Sequence, residues 1–561
     1  MKNVQAVDYV VIGLYLLLML GIGFYAMRFN RGAADYFRGG NRVHWLAAGL
    51  SSFMSGFSAW TFTGAAGLAY QQGLVAILLY VGNACTFLLG YWIFAARWRR
   101  ARISTVMEYL KDRYDERTRQ TFAWSTIVFQ FFTGASMLYG LALFVAPACG
   151  FPLDWTVVVS GAVILAYCVV GGLWAVVITD FLQAAILMPF TLVMAWAALS
   201  RLGGVSGLLS ALPPETTSLA LGAEYGWAYV ATWTVMTSVG YNTAAMAQRY
   251  FSVEDERAAR KVALLCFALF LSGAAIWFLP PLAMRVLQPD LRAVWPGLSN
   301  PHESSYALAA LTLLPTGLVG IMLAAILSAT MSSVSGLLNV HAGIISRDIF
   351  PTLFPRHAAR SESLALGWAA TLGVGVIVTG VATAMARRGV SVFTVLVQFN
   401  TVMSLSYGPP ALLGLVVRNT PHWSGLASFL ASLAIGTVAT FVVGAGLVAT
   451  VLLMVATGVA VFLASALAGK EEDPAHGTRR DAFFARLDTP VDAVRELAGV
   501  PDPTARVFRF LGASTALIGL GALSLLGFAD PGERWTVFAY VALTLALAGG
   551  LALIRGESRS S

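Results

Sequence analysis

Small hydroxyl side chains crowd the middle of one long apolar stretch. This stretch, residues 317–348, is long and apolar enough to cross a bilayer. Hydroxyl groups in hydrocarbon need partners, so they bond to their own helix, let a neighbouring helix approach closely, or hold a desolvated cation. The residue types alone leave helix packing and cation binding both open. The hydroxyls are those of Ser328, Thr330, Ser332, Ser333 and Ser335.

Asp180 is the second candidate for chemistry, because it interrupts the apolar run GGLWAVVITDFLQAAILM. It lies about two turns inside a span that begins after Gly171 and Gly172, roughly 9–12 Å along the helix. An ionisable group at that depth is costly unless it is hydrated or paired, and no Lys or Arg of the same span can reach it. Two interpretations are open: a carboxylate facing a water-filled cation path, or a structural carboxylate bonded to Thr179 and nearby backbone.

A chemically reasonable oxygen set connects two spans. The hydroxyls of Ser332 and Ser333 and the carbonyl of Ala329 would share one helix face. Carbonyl groups freed by a helix break near Gly56 would complete the shell, and hard cations prefer oxygen ligands. Because all these oxygens are neutral, the set suits a monovalent cation better than a divalent one.

Composition places these residues in a membrane. The chain has 561 residues, of which 58% are hydrophobic and 11% charged, whereas a soluble domain has about 25% charged residues. Hydropathy predicts about fifteen spans, so the lipid bilayer is an expected partner. The net charge of +8 comes from basic residues in short loops between spans, which indicates membrane topology and no nucleic-acid partner. The four cysteines form no CxxC pair, so neither a disulfide framework nor a zinc site is suggested.

The basic loops predict an orientation. If the N-terminus lies outside, the Lys- and Arg-rich loops all fall on one side, as the positive-inside rule requires. We therefore expect a multi-pass protein of a bacterial inner membrane with a cytoplasmic C-terminus. In the last inner loop, Phe484, Leu487, Val491 and Val494 predict a short helix on the inner membrane face. The basic loops are residues 28–42, 97–119, 249–261, 347–360 and 470–509.

Two spans are interrupted by glycine and rich in polar residues, at corresponding positions of two halves. They are residues 45–70, with a break near Gly56, and residues 225–248, with Gly240, Tyr241 and Asn242 near the middle. Such a pair points to an inverted-repeat transporter with its site near the midplane. The expected division is an N-terminal extra helix and inner loop (1–44), two five-helix repeats (45–201 and 225–418), accessory helices (423–469), a cytoplasmic loop (470–505) and C-terminal helices (506–561).

Four segments carry a family resemblance: ADYFRGGNRVHWLAAGLS, GGLWAVVITDFLQ, AQRYFSVEDERAARK and SATMSSVSGLLNVHAGIISRDIF. Over residues 5–470 the chain resembles the sodium:solute symporter family, which includes bacterial proline, sialic acid and sugar symporters. The resemblance implies an all-α polytopic fold, with a LeuT-like ten-helix inverted-repeat core plus one N-terminal and about four C-terminal helices. It also implies a secondary active transporter that couples inward Na⁺ flow to uptake of a small polar organic solute, such as a sugar, polyol or amino acid, by alternating access.

The same resemblance implies positions for the cations. The main sodium site would use one alanine, two hydroxyls and two main-chain carbonyls at the first break: Ala329, Ser332, Ser333, Met54 and Phe57. A possible second cation site would use Asp180 and Ser335. Gly336 stands where members with a second site have another serine.

Family position implies four of the five candidate solute contacts, and Asn242 is the candidate in the middle of the second interrupted span. The candidates are Ser58, Thr61, Tyr80, Asn242 and Gln398. No fixed cation lies near the presumed pocket, so a neutral or zwitterionic polar solute is expected.

Two other classes of function are weighed against transport. A transporter-like membrane sensor or partner subunit would need a signalling segment, and the sequence has no kinase or receiver domain. An intramembrane enzyme would need a Ser–His pair, an HExxH motif or paired carboxylates within the spans, and none is found there. We therefore expect no enzymatic activity.

Overall fold

The computed structural model describes most of the chain. The described residues are 5–26, 39–57, 59–103, 105–217, 225–296, 298, 300–390, 392–467, 474–499 and 502–554. Within them the regular secondary structure is entirely helical. The all-α polytopic fold expected from the sequence is confirmed.

The first eleven helices belong to the N-terminal part of the chain. They are α1 (Ala6–Ala26), α2 (Trp45–Ser55), α3 (Ala59–Phe62), α4 (Gly64–Gln72), α5 (Val75–Leu89), α6 (Ala95–Arg100), α7 (Val106–Arg113), α8 (Glu116–Cys149), α9 (Leu153–Ser200), α10 (Gly204–Ala211) and α11 (Pro214–Thr217). A π-helical turn, Gly90–Phe94, joins α5 to α6.

Eight helices follow in the middle of the chain. They are α12 (Trp227–Gly240), α13 (Ala244–Ser252), α14 (Glu256–Leu287), α15 (Ser305–Leu313), α16 (Leu318–Ile344), α17 (Phe350–Leu353), α18 (Leu364–Arg388) and α19 (Val392–Gly408). Further π-helical turns extend α16 at Ile345–Ile349 and α19 at Pro409–Leu413.

Six helices complete the chain. They are α20 (Ser424–Thr437), α21 (Leu447–Ser465), α22 (Pro474–Asp488), α23 (Ala493–Glu496), α24 (Thr504–Ala522) and α25 (Arg534–Ala552). Short 3₁₀ segments lie at Gly39–Asn41, Pro301–Ser304, Pro355–Glu362, Leu523–Gly527 and Pro531–Glu533, and a π-helical turn at Val438–Val442.

Ten of the described helices are long and apolar enough to cross a membrane, and two shorter apolar helices accompany them. The chain is therefore a multi-pass membrane protein. Helix α9 covers residues 153–200 as one continuous assignment. It cannot be straight, because Trp155 lines a cavity with Ile12 and Leu16 of α1 while Gln183 Nε2 lies 3.3 Å from the Tyr15 hydroxyl of the same helix α1.

The first expected break is present. The helix α2 ends at Ser55, and the chain passes through Gly56 and Phe57 before α3 begins. A Cβ at Gly56 would lie 3.1–3.2 Å from the side chains of Met246, Phe270 and Tyr241. This close approach, more than backbone freedom, requires glycine. The second break separates α12 from α13.

The helix α16 lies at the centre of the molecule. The whole apolar window of this span is buried, and α16 packs against α1, α2, α8, α9 and α18. A helix that is apolar all round is expected to be buried on all sides. Its hydroxyl cluster therefore faces protein rather than lipid.

The last inner loop differs from expectation. The helix α22 turns Phe483, Phe484 and Leu487 into the protein, where they are at most 4% exposed. The ring of Phe483 packs on Tyr109 of α7 at 5.4 Å between centroids. The apolar spacing that predicted a membrane-surface helix therefore reflects packing against the inner ends of the core helices.

Candidate functional site

The end of α2 and the middle of α16 bring four of the predicted sodium ligands together. The Ser333 hydroxyl lies 2.9 Å from the carbonyl oxygen of Phe57 and 3.4 Å from that of Met54. It also lies 3.1 Å from the carbonyl of Ala329, one turn earlier in its own helix. We call Met54, Phe57, Ala329 and Ser333 the carbonyl cluster.

The geometry of the carbonyl cluster follows from the break. The last carbonyls of a helix have no partner further along it, and here α2 stops just as it crosses α16. A hydroxyl has a single proton to donate, so Ser333 cannot satisfy all three converging carbonyls; the Met54 carbonyl also accepts from the backbone N–H of Phe57 at 3.1 Å. All four residues are at most 5% exposed. Converging buried neutral oxygens fit a desolvated monovalent cation.

Ser332, the fifth predicted ligand, faces another neighbour. Successive residues of a helix point about 100° apart, and the Ser332 hydroxyl lies towards Asp180 of α9. It is completely buried and interacts with the Asp180 carboxylate. Ser332 therefore lies between the carbonyl cluster and Asp180, and its ligand role stays a prediction.

Asp180 has a charged partner that the sequence interpretation missed. Its carboxylate is fully buried and accepts a hydrogen bond from the Ser51 hydroxyl of α2. The guanidinium Nη2 of Arg249, on α13, lies 3.7 Å from the same carboxylate oxygen. Thr179, the partner considered for a structural carboxylate, donates to the carbonyl of Val176 at 3.0 Å. We call Ser51, Asp180 and Arg249 the charged cluster.

Arg249 is part of a buried helix and not of an inner loop. It is 1% exposed, because α13 continues past the expected end of its span at 248. Its guanidinium donates to the hydroxyls of Ser51 at 3.1 Å and Ser55 at 3.2 Å and to the Gln248 side chain at 2.8 Å. The sequence signal that could have identified Arg249 was Asp180 itself, since a carboxylate in hydrocarbon needs a cation from some other span.

The residues proposed for a second cation site do not converge on Asp180. The Ser335 hydroxyl donates to the carbonyl of Ser332 at 3.0 Å, within its own helix. A Cβ at Gly336 would lie 3.7 Å from Arg249 Nη2. The side of α16 at Gly336 therefore already faces a cation, the guanidinium.

Thr61 and Tyr80 are brought together. Their hydroxyls are 2.9 Å apart, and both side chains are at most 3% exposed. The ring of Tyr80 stacks on Trp60 at 6.3 Å between centroids, and Trp60 stacks on Trp233 at 5.9 Å. An aromatic layer thus lies beside the first break.

The other predicted solute contacts are placed differently. The Asn242 side chain is buried and donates to the carbonyls of Thr86 at 3.2 Å and Ser238 at 2.8 Å, so it fastens the second break. Gln398 is exposed and is not among the residues that line the central cavity described below. Ser58 lies outside the described residues.

A central cavity of about 320 Å³ runs from the first break towards α7. Trp60, Asn83, Trp233 and Ser333 lie at one end, and Leu110 lies towards the other. Among its described lining residues there is no Asp, Glu, Lys or Arg. The indole N–H of Trp233 donates to Asn83 Oδ1 at 2.8 Å. The sequence analysis did not identify Asn83 and Trp233 as candidate solute contacts. The one signal in the sequence was the Asn83 amide, which lies in an otherwise apolar span.

Comparison with known proteins gives consistent results. A model of the sodium:solute symporter family matches residues 36–431. The rat sodium/glucose cotransporter 2 is 28% identical over 408 residues, covering 64% of this chain and 60% of the relative. The sodium/sialic acid symporter NanT of Aliivibrio fischeri is 25% identical over 453 residues, covering 77% of this chain and 87% of the relative.

A solved structure shows the fold. It is the substrate-bound outward-open state of a Na⁺-coupled sialic acid symporter, with a TM-score of 0.72 at 21% identity. The superposition covers 84% of this chain and 99% of the other. The chain spans about 60% of the length of the first relatives it matches; the mouse sodium/myo-inositol cotransporter 2, for instance, is matched over 58% of its length.

Proposed function

Because the chain belongs to the sodium:solute symporter family, we propose that it couples inward sodium flow to uptake of a small polar solute. Transport would proceed by alternating access around the two broken helices. The proposal includes no enzymatic activity, and the matched relatives are named as cotransporters and symporters. Nothing in the described residues favours the alternative of a membrane sensor.

The carbonyl cluster carries this proposal. It joins the broken end of α2 to α16 through the Ser333 hydroxyl, 2.9 Å from the Phe57 carbonyl. A sodium ion held by Met54, Phe57, Ala329, Ser332 and Ser333 would fix these two helices relative to one another. Binding energy spent on that arrangement would favour one conformation of the broken helix, which is how an ion shifts a transporter between states.

The solute is proposed to be neutral or zwitterionic. A cavity without fixed charge in its described lining gives no compensation to a net charge brought out of water. Trp60, Trp233 and Asn83 offer aromatic faces and an amide, which suit a sugar or polyol. The first relatives are named for glucose and myo-inositol, and an amino acid or sialic acid is the alternative.

Topology and domain division are also part of the proposal. The N-terminus would lie outside and the C-terminus in the cytoplasm of a bacterial inner membrane. The cavity would then open inward, since α7 lies among the basic inner segments. We retain an N-terminal helix and loop (1–44), repeats at 45–201 and 225–418, accessory helices (423–469), an inner loop (470–505) and C-terminal helices (506–561).

Proteoliposome uptake tests the proposal. Labelled D-glucose, myo-inositol, N-acetylneuraminic acid and L-proline would each be offered with an inward sodium gradient, a potassium gradient or none. We expect sodium-dependent accumulation of one of these solutes. The matched control is Ser333→Ala, which should require more sodium for half-maximal uptake. Sodium-independent uptake, or a wild-type sodium curve in the variant, would contradict the assigned site.

A further inference from the structure

The helix α1 lies outside the residues matched by the family, which begin at 36, yet it contacts the N-terminus of α16 directly. The Asp8 carboxylate Oδ1 accepts hydrogen bonds from the backbone N–H groups of Gly317 at 2.8 Å and Gly320 at 2.7 Å. Its other oxygen accepts from the N–H of Gln5 at 2.9 Å. Asp8 is 1% exposed.

Asp8 supplies the hydrogen-bond acceptor that the N-terminus of α16 lacks. The first N–H groups of a helix have no partner within it, and the capping residue of α16, Gly317, has no side chain to provide one. A carboxylate is the preferred partner there, because it both accepts the hydrogen bonds and complements the helix dipole. Asp8 therefore caps α16 from another helix.

The backbones of α1 and α16 are also in close contact here. A Cβ at Gly320 would lie 2.7 Å from the Asp8 Cα and carbonyl oxygen, so the two backbones touch. Further along α1, the Tyr15 hydroxyl lies 3.8 Å from Met331 Sδ and 3.3 Å from Gln183 Nε2. Met331 immediately precedes Ser332. The helix α1 thus holds α16 both at its end and at the level of the hydroxyl cluster.

We propose that Asp8 is a positioning residue for the sodium site: by capping α16 it fixes how far that helix projects towards the broken end of α2. Gly320 and Ser332 are twelve residues apart, about 18 Å along the helix. Over that distance a helix dipole has little direct effect, so the influence is mechanical. A shift of α16 along its axis changes the separation of Ser333 from the carbonyls of Met54 and Phe57. The inference rests on the proposed sodium site.

Sodium-dependent thermal stabilisation tests the inference without a known solute. The melting temperature of the purified full-length protein would be titrated with NaCl against choline chloride. An ion that binds only the folded state stabilises it by RT ln(1 + [Na⁺]/Kd), so fitting the titration gives the half-saturating sodium concentration as Kd. For Asp8→Ala we expect the half-saturating sodium concentration to rise about fivefold. Asp8→Asn, which keeps one acceptor oxygen, should be intermediate. Asp154→Ala, at an exposed ion pair in the first turn of α9, should match the wild type.

Two further measurements separate positioning from general damage. Amide hydrogen exchange should increase at residues 317–321 in Asp8→Ala and not in the control. Gly320→Ala should lower sodium affinity as Asp8→Ala does. Gly373→Ala, where a Cβ meets nothing within 4 Å, should leave sodium affinity unchanged. Wild-type sodium curves in Asp8→Ala and Gly320→Ala would overturn the inference alone. A wild type that sodium does not stabilise would overturn the sodium site, and this inference with it.

Discussion

The charged cluster, on α2, α9 and α13, packs beside the carbonyl cluster against α16, yet the two differ in charge. In the carbonyl cluster, one hydroxyl and three carbonyl oxygens, all neutral, converge. In the charged cluster, the Asp180 carboxylate already faces the Arg249 guanidinium at 3.7 Å, both fully buried. A desolvated sodium ion would be stabilised by the oxygens of the carbonyl cluster and repelled by the arginine of the charged cluster.

This difference bears on coupling stoichiometry. The residues predicted for a second cation are Asp180 and Ser335, and Ser335 is bonded to its own helix. A positive side chain fixed beside Asp180 does part of the work that a second ion would do. We therefore expect one sodium ion per transport cycle.

The largest expected effect comes from removing the internal cation. Arg249→Met should destabilise the protein by about 3–5 kcal/mol, because it leaves Asp180 buried without a counter-charge. Melting temperature and the yield of folded protein would measure this loss. Asp180→Asn combined with Arg249→Met should recover much of it. The control Arg257→Met removes an exposed arginine of α14 and should change little.

If the Asp180→Asn change gave no recovery, Arg249 would act through packing rather than charge. In that case the two clusters would differ less than their geometry indicates. Sodium binding by the double variant, followed as thermal stabilisation, distinguishes the two possibilities.

The carbonyl cluster should respond to a smaller change. Ser333→Ala removes one oxygen from a desolvated ion, and interactions with charged groups are worth about 1.5–3 kcal/mol. Sodium affinity should fall tenfold or more, with folding largely preserved. Ser335→Ala is the matched control on the same helix and should retain wild-type affinity. Equal losses in the two variants would show that α16 as a whole, and not the cluster, determines affinity.

A buried polar pair without ion or charge gives the next comparison. Tyr80→Phe removes the hydroxyl bonded to Thr61, a neutral hydrogen bond worth about 1 kcal/mol. The apparent KM for solute should rise a few-fold, because the Tyr80 ring loses its fixed orientation beside the cavity. The sodium dependence at saturating solute should not change. A shift in sodium affinity instead would place Tyr80 in the sodium site.

The surface ion pair of Arg102 with Glu496, at 2.6 Å, should give the smallest effect. The hydrogen bond from Arg102 holds the pKa of Glu496 below its ordinary value. A carboxyl group with a lowered folded pKa stabilises above its unfolded pKa, and that stability is lost as pH falls through the folded value. Glu496→Gln, which leaves the bonds of Arg102 to backbone carbonyls in place, should therefore lower the melting temperature slightly at pH 7 and not at pH 3. The cost should be about 0–1 kcal/mol; a larger one would contradict the contrast with Arg249.

Much of the fold could be predicted because its signals are local. Hydropathy marks the spans, and glycine with polar neighbours marks both breaks. The hydroxyls of Ser332 and Ser333 stand out because polar groups in an apolar span need partners, although α16 itself is continuous. The family resemblance, now confirmed over residues 36–431, added the pairing of these features into one site.

What the sequence could not provide was the partner of each polar group. Arg249 reaches Asp180, and Asp8 reaches Gly317, across separations of 69 and 309 residues. Asn242 has the right residue type for a solute contact, but its amide N–H groups donate to the backbone carbonyls of Thr86 and Ser238. Such choices depend on which helices become neighbours. A buried charge or amide must find its partner within a few ångströms, and only the packed tertiary structure decides what lies there.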